Sequence, residues 1–321
     1  FVLSAGSVLA ALAMLLLATA MHPAVMVLGW IVAGAAMAAC LYDPAFATLS
    51  QHAGSRYRSA VTALTIFGGF ASTVFWPLSH VLVAAWGWRW TLAIYAALHV
   101  FLCLPIHLNF VPRRLRITRP MEDSGVTGEC AGASRHGLGL LTVSFAAASF
   151  VSAVVAVHVV SLLVAKGLTQ AQAISIAMLF GPMQVVGRVA EFLFASRVGV
   201  AALGAASFAL LFGAIAILIT VKGPGVAAII FVAAYGFGNG LFTIIRGTVP
   251  AELYGREALG AILGRLARAG LYSRALAPGS FSGLLAVGLT RSAALATLAA
   301  VMLAGLASYL GAVRAVKLSR L

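Results

Sequence analysis

The sequence predicts an all-α polytopic membrane protein built as two helical bundles. Its residues are 62% hydrophobic and 9% charged, and its mean hydropathy is +1.06. A soluble globule of 321 residues needs far more polar surface than this composition supplies. Apolar runs of membrane-spanning length lie on both sides of one long polar stretch, residues 111–136. We therefore expect an N-terminal bundle over residues 1–110, a linker over 111–136 and a C-terminal bundle over 137–321.

The predicted helices follow from the apolar runs, because a bilayer is crossed by about 20 helical residues. Four runs precede the linker and six follow it, which predicts about ten transmembrane helices. They cover residues 1–20, 24–50, 58–85, 89–110, 138–164, 170–196, 201–221, 225–246, 257–288 and 291–313.

The distribution of Lys and Arg predicts the orientation of these helices. With the first run starting at the cytoplasm, thirteen basic residues fall in inside loops and four in outside loops, Arg89, Lys166, Lys222 and Arg291. The positive-inside rule then places both chain ends and the linker in the cytoplasm. The net charge of +14 is explained by contact with anionic lipid, so no nucleic-acid partner is predicted.

Motifs for enzymatic chemistry are missing from the sequence. Its three cysteines, Cys40, Cys103 and Cys130, are too widely spaced to predict a metal site or a disulfide framework. No phosphate-binding loop or nucleophile elbow is found, so we expect neither an enzyme nor a bound cofactor.

Short motifs in both halves resemble those of one transporter family. The first half contains YDPAFA at 42–47, GGFAST at 68–73, WPL at 76–78 and GWR at 87–89, and the second contains GPMQ at 181–184 and RGTVPAE at 246–252. In order and placement they resemble a bacterial transporter of the major facilitator superfamily. The resemblance implies twelve helices in two bundles of six, so the first two family helices are expected to be absent from the four-plus-six pattern.

The second apolar run carries one acid, Asp43, next to Tyr42 and Pro44. In a continuous helix Asp43 would share a face of small and polar residues with Ala36, Cys40, Ala47 and Ser50. Pro44 predicts a kink there. A charge within a membrane span is costly, so Tyr42 and Asp43 are candidates for substrate binding or coupling. The alternative is a packing acid bonded to an arginine or to freed backbone.

Two further stripes of polar residues lie in the second half. Gln184, Arg188 and Glu191 are spaced to share one helix face, below a kink that Pro182 predicts. A gate or an anchoring network is predicted on this face.

Tyr235, Asn239, Thr243 and Arg246 form the other stripe, and the nearby Gly236 and Gly240 have the spacing of close helix contact. Arg274 completes the candidates, as an anion-binding residue, a salt-bridge partner or a residue reaching the headgroups.

These observations predict a secondary active transporter that moves a small solute by alternating access. Energy would come from a gradient, through proton coupling or in an efflux mode, with the solute, protons and the lipid bilayer as partners. The alternative is a membrane receptor or assembly protein that has a transporter-like fold and no transport activity.

Overall fold

The computed structural model describes residues 1–111, 128–194, 197–223, 225–255 and 259–318, without the side chains of Ser72, Thr73, Trp76 and 128–134. Within these ranges the regular secondary structure is helical. The α-helices are α1 Val2–Ala18, α2 Pro23–Cys40, α3 Tyr42–His52, α4 Tyr57–Leu98, α5 Leu104–Asn109, α6 Gly128–Ala165, α7 Gln170–Ala177, α8 Phe180–Phe194, α9 Val200–Thr220, α10 Val226–Tyr254, α11 Leu259–Ala286 and α12 Arg291–Leu318. A 3₁₀ turn at Gly54–Arg56 precedes α4, and a π-helical segment at His99–Cys103 precedes α5.

The prediction of an all-α membrane fold is confirmed. In the part of the chain that the structure describes, seven helical stretches are long and apolar enough to cross a membrane. The apolar helix α1 is shorter, with 17 residues, and α11 carries three arginines. With the part of α4 that precedes Gly87, these helices account for the ten predicted runs.

The chain divides into two compact units. The first comprises Phe1–Ala60 and Phe67–Pro120, and the second comprises Val61–Ile66 and Met121–Leu321. One short segment of α4 therefore belongs to the second unit. Most of the predicted linker, residues 112–127, lies outside the described residues, and its last part is helical because α6 begins at Gly128.

Gly87 separates the third and fourth predicted runs, which otherwise join in α4. Its φ of 77° and ψ of 168° are not helical, and a side chain would be strained at this positive φ. The flanking Trp86 and Trp90 are 60% and 69% exposed, and Arg89 lies over the Trp88 ring at 4.3 Å. Amphipathic aromatic rings of this kind suit the membrane interface.

The span Pro23–His52 is broken at Leu41, which has an extended conformation with φ −85° and ψ −156°. Pro44 explains the position of the break. It cannot donate a hydrogen bond to the carbonyl of Cys40, four residues earlier, and its ring crowds that carbonyl. The predicted kink is therefore present, but the continuous face through Cys40 and Asp43 was wrong, because α2 ends before Asp43.

A second span, Gln170–Phe194, is interrupted in the same way. Helix α7 ends at Ala177, and α8 begins at Phe180 after the turn of Met178 and Leu179. Pro182 removes the donor that would bond the carbonyl of Met178. In each unit a described membrane span is thus divided just before a proline, Pro44 three residues after Leu41 and Pro182 three residues after Leu179.

Glycines let α8 and α10 approach closely within the second unit. A Cβ atom on Gly187 would lie 2.5 Å from the carbonyl oxygen of Phe237, and one on Gly236 would lie 2.8 Å from the Cβ of Met183. A Cβ on Gly240 would collide with the backbone of Gln184. The predicted close helix contact at Gly236 and Gly240 is present.

Gly187→Ala is expected to lower the free energy of unfolding by about 1–3 kcal/mol, because the added methyl must push the two backbones apart. Thermal unfolding of the purified chain in detergent measures the change. Gly213→Ala in α9 is the matched control, since nothing lies within 4 Å of its Cβ position. Equal midpoints for the two variants would contradict the packing argument.

Candidate functional site

The second unit buries two opposite charges on α8. Arg188 is 4% exposed and Glu191 is 3% exposed. A buried ion is tolerated only when hydrogen bonds or opposite charges replace the water that it has lost. The surroundings of both side chains are therefore the first place to look for function.

Arg188 is held by groups from three segments. Its Nη1 donates to the backbone carbonyl of Thr65 at 2.8 Å, and its Nη2 donates to Gln184 Oε1 at 3.3 Å and to Thr243 Oγ1 at 3.5 Å. The planar guanidinium has several donors in fixed directions, so it can bond α8, α10 and residues 61–66 at once.

Glu191 accepts a short hydrogen bond from Thr62, with 2.6 Å between Thr62 Oγ1 and Glu191 Oε2. Hydroxyl bonds to a carboxylate are among the shorter and stronger hydrogen bonds in proteins. Thr62 and Thr65 are 1% and 0% exposed. Sequence reasoning missed both threonines, and their only signal was two hydroxyls three residues apart in an apolar run.

Further hydrogen bonds continue from Arg188 along α10. Thr243 donates to the carbonyl of Asn239 at 3.0 Å, and Asn239 Oδ1 accepts from Ser152 of α6 at 3.4 Å. Tyr235 then donates to Ser152 at 3.3 Å. We call the whole set the polar chain; its members are Thr62, Thr65, Ser152, Gln184, Arg188, Glu191, Tyr235, Asn239 and Thr243.

Tyr42 and Asp43 belong to the first unit. Asp43 is half-buried in the first turn of α3, directly after the break at Leu41. Tyr42 stacks on Phe46 with 5.5 Å between the ring centroids. Its hydroxyl lies against Gly68, where a Cβ atom would be 2.5 Å from the hydroxyl oxygen.

The last two candidates lie in other parts of the second unit. Arg246 is half-buried in α10, three residues beyond Thr243. Arg274 lies in α11, where its Nε donates to the carbonyl of Gly270 at 3.3 Å. Six residues of the two predicted polar stripes thus lie in the polar chain: Gln184, Arg188, Glu191, Tyr235, Asn239 and Thr243. Among the residues that the structure describes, no group of three His, Cys, Asp or Glu side chains could hold a metal.

Comparison with known proteins establishes the family. The sequence matches the family described as Major Facilitator Superfamily over residues 1–278. The chain belongs to the major facilitator superfamily. This confirms the resemblance seen in the sequence motifs.

Solved structures show the same fold. The chain is similar to the major facilitator superfamily transporter FucP in its outward conformation, with a TM-score of 0.70 and 15% identity over 96% of this chain and 82% of that one. A variant of the Escherichia coli fucose:proton symporter FucP gives a TM-score of 0.68 and 14% identity, with the same coverage. No curated protein matches the sequence. At this identity the structural likeness establishes the fold and not the substrate.

Proposed function

We propose that this superfamily member is a secondary active transporter that moves a small solute together with protons by alternating access. The observation that carries the proposal is the broken span Pro23–His52, which has its acid, Asp43, in the first turn after the break. Transporter folds commonly form solute and ion sites at discontinuous membrane helices.

The chemistry of the break favours ion or solute binding. The first turn of a helix has amide groups without partners in that helix, and the last turn has such carbonyl groups. The break at Leu41 places both kinds of group, the end of α2 and the start of α3, beside a titratable carboxylate. Donors, acceptors and a removable charge within one span are suited to holding a polar solute or a proton.

The polar chain supports the same proposal from the second unit. Buried charges in a membrane span are retained where they serve a pathway or fix the helices around it. We assign Arg188 an anchoring role, because its donors bond α8, α10 and residues 61–66. The name of one structural relative, a fucose:proton symporter, favours proton coupling over another driving ion.

Proteoliposomes that contain the full-length protein and a trapped pH-sensitive dye test the function. Under a panel of sugars and small organic solutes, one solute class is expected to drive proton movement that saturates with solute concentration. Protein-free liposomes are the control. Folded protein that moves neither solute nor protons across the whole panel would favour the transport-inactive receptor or assembly protein.

We also propose a bacterial inner membrane location, from the resemblance of the sequence motifs to bacterial transporters, with both chain ends in the cytoplasm, from the asymmetry in Lys and Arg. Single cysteines at Ser55 and Lys222, in a background without other cysteines, test the orientation in intact cells. An impermeant thiol reagent is expected to label position 222 and not position 55. The reverse pattern would overturn the orientation.

A further inference from the structure

A cavity of about 550 Å³ lies at one end of the second unit, where α6 and α9 end and α12 begins. It is separate from the polar chain. Three cationic side chains line it, Lys166, Lys222 and Arg291, together with apolar side chains that include Leu162 and Leu295. None of the described residues that line the cavity is acidic.

The loops that carry the two lysines are fixed to each other. The backbone N–H of Gly223 donates to the carbonyl of Lys166. Gly167 and Gly223 have positive φ values of 97° and 69°, and a Cβ on Gly167 would lie 3.4 Å from the Cα of Gly223. The lysines are therefore held near each other by backbone contacts, despite their mutual repulsion.

Lys166 and Lys222 have different tasks in this cavity. Lys166 Nζ donates to the carbonyl of Ile219 at 2.7 Å and so caps the last turn of α9. Burial, and after it the charge of Lys222, lower the pKa of Lys166. Lys222 is exposed, as is Arg291. Lys166 and Lys222 are thus close enough to interact, and the exposed side chains of Lys222 and Arg291 can turn toward a ligand.

The start of α12 adds to the positive potential. Arg291 is its first residue, and Thr290 Oγ1 accepts a hydrogen bond from the backbone N–H of Ala293 at 3.2 Å. The helix therefore begins at the cavity, with the positive end of its dipole there. A cation at a helix start is unfavourable, and an anion bound beside Arg291 would offset that cost.

We propose that this cavity binds a phosphate group, through Lys222, Arg291 and the start of α12. The two sources of such a group are the headgroup of an anionic phospholipid and a soluble phosphate. The site is independent of the transported solute, and no residue proposed for transport lines it.

The test is lipid retention by the purified 321-residue chain, measured by native mass spectrometry in detergent with phosphatidylglycerol or phosphatidylcholine added. The wild-type chain is expected to retain phosphatidylglycerol, and the double variant Lys222→Gln with Arg291→Gln to retain it roughly tenfold less, because two charge-assisted contacts are lost. Lys166 is left unchanged, so the cap on α9 remains.

Two further variants control for charge and folding. Arg314→Gln with Lys317→Gln removes the same charge from exposed positions near the other end of α12 and is expected to keep wild-type retention. Lys222→Arg with Arg291→Lys preserves the charge and is expected to retain phosphatidylglycerol like the wild-type chain.

A second arm identifies the source of the phosphate. Inorganic phosphate and glycerol 3-phosphate are added to the chain in phosphatidylcholine, and thermal stability is measured. If a soluble phosphate stabilises the wild-type chain and the double variant Lys222→Gln with Arg291→Gln abolishes this effect, the site binds soluble phosphate. If soluble phosphates do not stabilise the chain but the chain retains phosphatidylglycerol, the site binds lipid. The proposal would be overturned if the wild-type chain and this double variant bound equally in both arms. It would also be overturned if the control variant at Arg314 and Lys317 lost as much phosphatidylglycerol retention as this double variant.

Discussion

Arg188→Gln is expected to remove most transport activity and to lower the thermal midpoint of the chain. Glutamine cannot reach Thr65, Gln184 and Thr243 together, so buried acceptors lose their donor. The loss of such a charged, buried hydrogen-bond network costs about 2–4 kcal/mol. Arg188→Lys is expected to recover only part of this, since an ammonium group lacks the planar, forked donors of arginine.

Arg268→Gln on α11 is the matched control, because Arg268 is exposed and its replacement should leave both measurements near the wild-type values. Flux per folded molecule separates two roles for Arg188. Reduced stability with normal flux per folded molecule would make Arg188 a structural anchor with no part in transport. Wild-type stability and flux in Arg188→Gln would contradict the importance of the polar chain altogether.

Local rules predicted the helix breaks well. Pro44 and Pro182 indicated kinks in two spans, and both spans are divided. The error concerned the position of the first break. The carbonyl that loses its partner belongs to the residue four positions before the proline, so α2 ends at Cys40 and the expected face through Asp43 does not form.

The partners of the buried charges could not be predicted from local patterns. Spacing correctly placed Gln184 beside Arg188 on one helix, and the structure confirms their hydrogen bond. Thr62 and Thr65 lie 129 and 123 residues from Glu191 and Arg188 in sequence. A threonine in an apolar run bonds its own helix just as easily, and the Thr65 hydroxyl does so with Thr62. The presence of a threonine in an apolar run therefore does not predict which distant residue its hydroxyl bonds.

The close packing of α8 and α10 shows where a sequence pattern is sufficient. Small residues four positions apart on one helix predict a close neighbour, because only glycine or alanine leaves room for another backbone. Gly236 and Gly240 have this spacing and lie against α8. Gly187 supplies the matching contact from α8, which its isolated position in the sequence did not indicate.

Asp43→Asn is expected to abolish solute accumulation driven by a pH gradient while leaving solute exchange across the membrane intact. Asparagine keeps the size and one acceptor of the side chain but cannot carry a proton or a negative charge, so only coupling is removed. The carboxylate lies in the first turn of α3, after the extended residue Leu41. Accumulation and counterflow exchange in proteoliposomes measure the two activities separately.

Glu191→Gln provides the decisive comparison with Asp43→Asn. Its amide oxygen can still accept the hydrogen bond from Thr62, but the buried negative charge is lost. If Glu191 is an anchor, the variant is therefore expected to be less stable while pH-driven accumulation per folded molecule persists. Glu252→Gln, at an exposed position in the last turn of α10, controls for the loss of one acid. If Glu191→Gln uncouples transport while Asp43→Asn accumulates solute like the wild-type chain, the coupling acid is Glu191 and the role given to the broken span is wrong. If Asp43→Asn loses exchange together with accumulation, Asp43 acts in solute binding, because an uncoupled carrier would still exchange.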